Sequence, residues 1–464
     1  MHHSDTMENG ITEGVIWKQL LLFFFPILLG TFFQQLYNTV DAVVVGNFVG
    51  KEALAAVGGA TGTVINLLVG FFVGLSSGAT VIISQYYGAG KPAETSRAVH
   101  TAVALALAGG AVLTLIGIVF SPMILKAMGT PDDIIGHAVT YIRIYFSGTV
   151  FNLLYNIGSG ILRAVGDSKR PLYFLIFCSL VNLGLDLLFV LCFNMGVVGV
   201  AVATLLSQAV SAALVVFVLV KSEMMYRLEL KEIRFTGWIL KDIVRIGLPA
   251  GLQSVMYSVS NIIIQSSINS FGTDAVAAWT AYGKIDGIFW MVIAAFGVAV
   301  TTFTGQNFGA RNYHRVRKSI HVCTAMAMGA TLLISGVLLL TGKYIYHLFT
   351  PDEVVIAKGM EMMNTLVPFY FTYVCIEVLS GAVRGTGDAV IPMIITCVGV
   401  CVLRMIWIFT AVPLYPDIKT VILSYPITWT VTSLLFIGYY LQGGWLRRRI
   451  AKAGFPPEIP EKQV

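Results

Sequence analysis

Charged residues are scarce in this chain. Asp, Glu, Lys and Arg make up 12% of its 464 residues and hydrophobic residues make up 56%, whereas about 25% of the residues of soluble domains are charged. A water-soluble fold could not cover that much apolar surface. Apolar runs of about 20 residues, the length that crosses a bilayer core as a helix, recur along the whole chain. The sequence therefore predicts an integral membrane protein.

Short alternating segments of about ten residues, which are typical of membrane barrels, are also missing. The apolar runs are long and continuous, so we predict an all-α protein. The first 15 residues are polar and lack the basic region and small-residue cleavage site of a secretory signal. We therefore expect the first helix to be retained.

Motifs for nucleotides, redox cofactors and catalysis are missing as well. Gly88-Ala89-Gly90-Lys91 resembles the end of a phosphate-binding loop, but that motif needs Gly where the chain has Gln85. The six cysteines lie inside apolar runs without metal-ligand spacing, which favours reduced thiols. We predict no enzyme activity and no cofactor, and expect any energy-driven step to use an ion gradient rather than ATP.

Glycines, prolines and charge clusters divide the apolar runs into twelve predicted spans. With the N-terminus in the cytoplasm, 22 of the 30 Lys and Arg fall on the inner side, so the positive-inside rule places both termini there. A basic inner surface facing lipid explains the net charge of +6 without a nucleic-acid partner. The spans lie near residues 17–46, 53–83, 98–120, 137–163, 171–193, 197–219, 247–271, 275–304, 319–341, 357–383, 390–412 and 420–441.

The chain consists of two related halves. Gln85 to Ala89 returns as Gln306 to Ala310, and Gly166-Asp167 returns as Gly387-Asp388, at an offset of 221 residues. Each half has six spans, an even number, so both halves enter and leave the membrane on the same side and are related by an axis along the membrane normal. Rocking of two such lobes gives alternating access to a central cavity between them. We predict two pseudo-symmetric six-helix bundles. The predicted domains are an N-terminal tail (1–16), an N-lobe (17–220), a cytoplasmic linker (221–246), a C-lobe (247–441) and a C-terminal tail (442–464).

An ion-driven carrier needs polar groups inside the membrane. Asp41, Asp186 and Thr204 are each predicted about 10 to 12 Å below the outer surface, at about 1.5 Å per residue. Asn182 precedes Asp186 by four residues and therefore shares its helix face. Two carboxylates with amide and hydroxyl oxygens can cage sodium, or the carboxylates can hold a proton. We predict a cation-coupling site at these four residues; the alternative is that the carboxylates only hydrogen-bond the helices together.

Further polar and aromatic positions of the N-lobe are predicted to line a substrate cavity. Polar packing between helices is the alternative role for the first-span amides, and core packing is the alternative for the tyrosines. The predicted cavity residues are Gln34, Tyr37, Asn38, Tyr141, Asn152, Tyr155, Asn156 and Ser159.

The C-lobe does not repeat the acidic cage, because Asp41 maps to Ile264 and Asp186 to Trp407. We therefore expect ion coupling to be confined to the N-lobe. Glu377 is a candidate second protonation site. We expect Lys284, Asp286 and Arg404 to form buried ion pairs.

The chain resembles the multidrug and toxic compound extrusion (MATE) family, specifically its bacterial DinF-like branch. The resemblance covers nearly the whole chain. It is carried by Gln34 to Asp41, Gln85 to Gly90, Leu162 to Asp167, Asn182 to Asp186, and Thr204.

This resemblance implies export of cationic or amphipathic drugs or toxins in exchange for sodium or protons, by a multi-pass protein of the cell membrane. It also assigns the cation site to Asp41, Asn182, Asp186 and Thr204. Other branches of the family place acids in the seventh and tenth spans. In this chain the seventh span has no acid, and the nearest match in the tenth span is Tyr373. The expected partners are small-molecule drugs and membrane lipid. We expect a functional monomer, because two lobes enclose a complete pathway.

Three other functions remain open from the sequence. A flippase for a lipid-linked saccharide would usually have extra helices and a more basic cavity. A membrane enzyme would need a catalytic His, Cys or metal cluster facing the cavity, and a channel would conduct ions without coupled solute movement.

Overall fold

The computed structural model of the chain describes residues 10–50, 53, 57, 60–130 and 132–452, except for the side chains of residues 37, 40–42, 60 and 133. Every regular element in this part of the chain is helical. Ten stretches are long and apolar enough to cross a membrane. The two other predicted spans correspond to the helix pair within 132–164, which is interrupted at Gly148, and to the helix Gly237–Asn269. The all-α, twelve-span prediction is confirmed.

The first half contains helices α1 to α7. Short π-helical turns, Val45–Val49 and Leu188–Cys192, extend α1 and α6. The helices are α1 (Ile16–Val44), α2 (Ala60–Gly88), α3 (Pro92–Ala127), α4 (Asp132–Ser147), α5 (Thr149–Ala164), α6 (Lys169–Leu187) and α7 (Gly196–Lys221).

The second half contains helices α8 to α16. A 3₁₀ turn, Val367–Phe369, joins α11 to α12, and a π-helical segment, Cys397–Val402, joins α13 to α14. The helices are α8 (Gly237–Asn269), α9 (Thr273–Gly309), α10 (Tyr313–His347), α11 (Glu353–Leu366), α12 (Tyr370–Gly385), α13 (Val390–Thr396), α14 (Leu403–Leu414), α15 (Ile418–Leu441) and α16 (Gly444–Lys452).

The internal repeat is visible in the backbone. The turn after α2 uses Gly90 at φ 63° and its counterpart after α9 uses Arg311 at φ 58°, 221 residues later. Gly166 at φ 98° and Gly387 at φ 91° are related by the same offset. A left-handed backbone favours glycine. Because Arg311 adopts this conformation without being a glycine, the repeat keeps the turn geometry even where it does not keep the residue type.

The chain packs as two compact units. The N-terminal unit runs from Phe25 to Gly251, and the C-terminal unit combines the residues from Leu252 onward with those up to Phe24. Within the C-terminal unit, Phe24 stacks on Phe296 with ring centroids 4.2 Å apart, which ties the first turns of α1 to α9. The unit boundaries therefore lie within α1 and α8, whereas the predicted lobes begin at residues 17 and 247.

The predicted linker at 221–246 is folded against the N-terminal unit. Its Leu228 is buried, and His100 Nε2 accepts a hydrogen bond from the backbone N–H of Glu229 at 2.9 Å. His100 Nδ1 donates to the carbonyl of Ser96 at 2.7 Å, so the neutral tautomer satisfies both ring nitrogens. From Gly237 onward the predicted linker is already part of α8.

A pair of Gly-x-x-x-Gly sequences brings α2 and α8 into backbone contact in the N-terminal unit. A methyl group on Gly78 would lie 2.2 Å from the Ile243 carbonyl oxygen, and one on Gly247 would lie 2.1 Å from the Leu75 carbonyl oxygen. The partner glycines of these sequences, Gly74 and Gly251, approach each other in the same way. Small residues spaced by four let membrane helices pack this closely.

Arg315 holds the start of the chain in the C-terminal unit. Its guanidinium donates hydrogen bonds to the carbonyl oxygens of Ile11, Glu13 and Gly14 at 3.0, 2.6 and 2.8 Å. Asn307 Nδ2 also donates to the Ile11 carbonyl, at 3.2 Å. Five donors in a planar fork allow one arginine to bind several carbonyls at once.

Replacing Arg315 by Ala is expected to loosen residues 10–15, because three hydrogen bonds to a charged donor are lost together. At about 1.5 kcal/mol each, their loss should raise local amide exchange at least tenfold. Hydrogen exchange followed by mass spectrometry measures this directly. Arg317→Ala removes a charge from the same helix and is the matched control; equal protection in both variants would contradict the proposed role of Arg315.

Candidate functional site

Three of the four predicted cation-coupling residues are buried in the N-terminal unit. Asn182 and Asp186 on α6 are 0% exposed and Thr204 on α7 is 4% exposed. The Thr204 hydroxyl donates to the Val200 carbonyl at 3.0 Å, so its oxygen lone pairs remain available to accept a hydrogen bond or bind a cation. The side chain of Asp41 lies outside the described residues, and its place in the site stays a prediction.

A buried valine cluster shows that the elements carrying these residues meet at one level of the unit. Val190 follows Asp186 by one turn, Val200 precedes Thr204 by one turn, and Val44 comes three residues after Asp41 in the sequence. These three valines belong to the same cluster. One helical turn rises about 5.4 Å. Asp186 and Thr204 therefore each lie about that distance along their helix from the valine cluster.

A cavity of about 180 Å³ opens among α1, α5, α6 and α7 in the same unit. Four of the eight predicted cavity residues line it: Gln34, Asn152, Tyr155 and Asn156. Asn156 Nδ2 donates to Asn152 Oδ1 at 2.9 Å, and the Tyr155 hydroxyl donates to the Pro171 carbonyl at 3.1 Å. These bonds fix the orientation of three polar side chains in the wall.

The remaining predicted cavity residues have other surroundings. Asn38 is exposed and Ser159 is buried. Tyr141 belongs to the valine cluster, so it takes the packing role that was its alternative. The side chain of Tyr37 lies outside the described residues.

Part of the cavity wall lies on α7, at residues that the sequence did not single out. Ser207, Gln208 and Ser211 line the cavity, three, four and seven residues after Thr204. That spacing places them along one helix face, continuous with the predicted cation site. The polar stripe in an otherwise apolar helix was the signal that could have found them. Arg163, at the end of α5, adds a positive charge to the lining.

The expected buried ion pairs of the C-terminal half are wrong for the described residues. Asp286 instead accepts hydrogen bonds from the Tyr370 hydroxyl, the Trp290 indole and, at 3.5 Å, the Tyr282 hydroxyl. Lys284 is exposed. Three neutral donors satisfy the Asp286 carboxylate, so it needs no cation.

Glu377 lies against the backbone of α9. A methyl group on Gly297 would be 2.2 Å from Glu377 Oε1, which shows how closely the carboxyl approaches that helix. Its role as a second protonation site stays a prediction.

A family model described as MatE matches residues 26–188 and 249–410, which is most of the chain and both repeats. The chain is a member of the MatE family. This confirms the resemblance seen in the sequence and makes the protein a MATE family membrane transporter; its assignment to the DinF-like branch stays a prediction.

Named relatives cover nearly all of this transporter. It is 29% identical over 441 residues to a probable multidrug resistance protein, YpnP, of Bacillus subtilis (strain 168), covering 94% of this chain and 97% of the relative. It is 25% identical to a probable multidrug resistance protein, NorM, of Thermotoga maritima, covering 84% of each chain.

Solved MATE structures share the fold. A crystal structure of MATE in the bent conformation matches with a TM-score of 0.89 at 25% identity, covering 96% of this chain and 99% of the other. A multidrug resistance MATE transporter of the MOP superfamily in an outward-facing conformation matches with a TM-score of 0.88 at 25% identity, covering 95% and 99%.

Proposed function

We propose that this transporter exports cationic or amphipathic small molecules in exchange for sodium ions or protons. The observation that carries the proposal is the buried carboxylate of Asp186 in the same unit as a polar cavity, with α6 and α7 contributing to both. Acidic residues inside membrane-spanning helices are rare and mark ion and substrate pathways. The names of the relatives support drugs as the substrate class.

The coupling ion would bind at the oxygens of Asp41, Asn182, Asp186 and Thr204. Carboxylate, amide and hydroxyl oxygens suit a hard cation such as sodium, and either carboxylate can take up a proton instead. In both cases the bound ion neutralises negative charge in a buried site. Because a ligand shifts a conformational equilibrium only through its different affinity for the two states, neutralisation would favour one access state over the other.

The cavity would hold the substrate through the amides and hydroxyls of its wall and the ring of Tyr155, beside the charged Arg163. Amides and hydroxyls both donate and accept, so they suit varied amphipathic molecules rather than one shape. Movement of the ion and the drug in opposite directions then requires that the two occupy the N-terminal unit in alternation.

The experiment uses proteoliposomes with an imposed sodium or proton gradient and a fluorescent cationic dye such as ethidium. We expect dye movement to follow one gradient and to fall to the background rate in Asp41→Asn. Asp132→Asn, which changes an exposed acid at the start of α4, is the control and should transport normally.

Gradient-driven movement that persists unchanged in Asp41→Asn would contradict the assigned coupling site. No dye movement under either gradient would contradict drug export, and translocation of a lipid-linked saccharide would then be measured instead. Ion current without dye movement would identify a channel.

A further inference from the structure

The C-terminal unit contains its own cavity of about 370 Å³, a volume within the range of about 300 to 1,000 Å³ that small-molecule sites occupy. Aromatic residues form most of its wall. The side chains that matter here are Tyr257, Trp290, Tyr373, Arg404, Tyr425 and Trp429.

This aromatic cavity is the repeat counterpart of the polar cavity in the N-terminal unit. An offset of 221 residues relates Asn152 to Tyr373 and Gln208 to Trp429. Each of these residues lines the cavity of its own unit. The duplicated scaffold therefore keeps the cavity, but amides in the first half have become aromatic rings in the second.

The aromatic walls are packed against one another. Trp290 meets Tyr373 edge to face with centroids 4.7 Å apart, and Trp429 contacts Tyr373 at 5.7 Å and Tyr425 at 5.4 Å. Edge-to-face rings at these distances stabilise each other and hold their neighbours in place. Such a wall offers flat, preformed surfaces for an aromatic ligand.

Arg404 adds a buried positive charge to this wall. It is 3% exposed, Nη2 donates to the Thr428 hydroxyl at 3.0 Å, and its guanidinium lies 4.0 Å from the centroid of the Tyr425 ring. Its Nε–H is buried without a hydrogen-bond partner. A buried donor on a charged group that lacks an acceptor is destabilising, so it marks a position where an acceptor from a ligand would be favourable.

No acidic side chain among the described residues forms an ion pair with Arg404. Asp286 accepts from Tyr282, Trp290 and Tyr370, and Glu377 lies against Gly297. Neither acid lines the cavity. The π-helical segment Cys397–Val402 ends just before Arg404 and supplies Val400 to the lining, and such segments are frequent at functional sites.

We propose that this cavity binds aromatic ligands that carry a carboxylate, with the carboxylate on Arg404 and the ring between Trp290, Trp429 and the neighbouring tyrosines. The guanidinium is suited to this role because it donates from a planar fork that matches a carboxylate. The assignment rests on the proposed function for the transport of such a ligand, but its binding is independent of it.

The test is equilibrium dialysis of radiolabelled 2-naphthoate against the full chain in detergent, with 2-naphthalenemethanol as the neutral comparison. We expect naphthoate to bind at least tenfold more tightly than the alcohol. Arg404→Gln should lose that difference. Arg404→Lys keeps the charge but not the fork and should bind with intermediate affinity, and Lys284→Gln, which removes an exposed charge on α9, should bind like the parent.

Equal binding of the acid and the alcohol, or unchanged naphthoate binding in Arg404→Gln, would overturn the proposal. The thermal unfolding midpoint of each variant shows whether a loss of binding reflects a loss of fold, and Arg404→Lys keeps the test valid if Arg404→Gln unfolds. Naphthoate binding without gradient-driven dye movement would reject the proposed function and retain this site. Dye movement without naphthoate binding would reject this site and retain the proposed function.

Discussion

Replacing Asp186 by Asn is expected to reduce ion-driven export roughly 100-fold at a fixed gradient. The side chain is 0% exposed and lies one turn from the point where the elements carrying the cation-site residues meet. A hydrogen bond to a charged group contributes up to about 3 kcal/mol. Losing that much ion-binding free energy weakens ion binding roughly 100-fold. The measurement is the initial rate of dye movement in proteoliposomes.

Asp286→Asn is the matched control for this prediction. Asp286 is also an acid within a membrane-spanning helix, in the C-terminal unit. Its carboxylate already accepts hydrogen bonds from three neutral donors. We expect this variant to unfold at a lower temperature and to keep gradient-driven transport. Loss of coupling in Asp286→Asn with normal coupling in Asp186→Asn would move the ion site to the C-terminal unit.

Replacing Gly78 by Val is expected to destabilise the protein by about 3 kcal/mol or more, at the upper end of overpacking effects. The first added carbon would lie 2.2 Å from the Ile243 carbonyl oxygen and 2.7 Å from the Gly247 nitrogen, both backbone atoms that cannot move alone. Helices α2 and α8 would have to separate. Thermal unfolding in detergent, followed by tryptophan fluorescence, measures the effect.

Gly283→Ala provides the contrast, because nothing lies within 4 Å of the position its methyl group would occupy. That helical substitution should be neutral or stabilise by up to about 1 kcal/mol. A Gly78→Val protein as stable as the parent would show that α2 and α8 do not need this close approach.

The sequence was informative wherever a physical rule acts on neighbouring residues. Continuous apolar runs predicted the helices, since lipid offers no hydrogen bonds to the backbone. The four-residue spacing of Asn182 and Asp186 placed both on one face of α6, and both are buried. The 221-residue offset of the repeat relates Gly90 to Arg311, and the two share a left-handed backbone.

The sequence was less informative about partners that are distant along the chain. Lys284 and Asp286 are two residues apart and suggested an ion pair, but residues at that spacing point to different sides of a helix. Asp286 instead contacts Tyr370, 84 residues away. Tyr141 looked suitable for a cavity and packs among valines, since aromatic residues serve both roles equally well.

Composition, hydropathy and the internal repeat thus determined by themselves that this protein is a twelve-span, all-α membrane protein of two related halves, with Asp41 and Asp186 inside spans of the first half, because these properties follow from solvent and local spacing. Only the tertiary structure decided that each unit contains its own cavity, that α2 and α8 touch through glycines, and that Arg404 is buried among aromatic rings with one donor unused. Those features depend on which side chains of separate helices meet. Helix packing sets that outcome, and no periodicity within one helix encodes it.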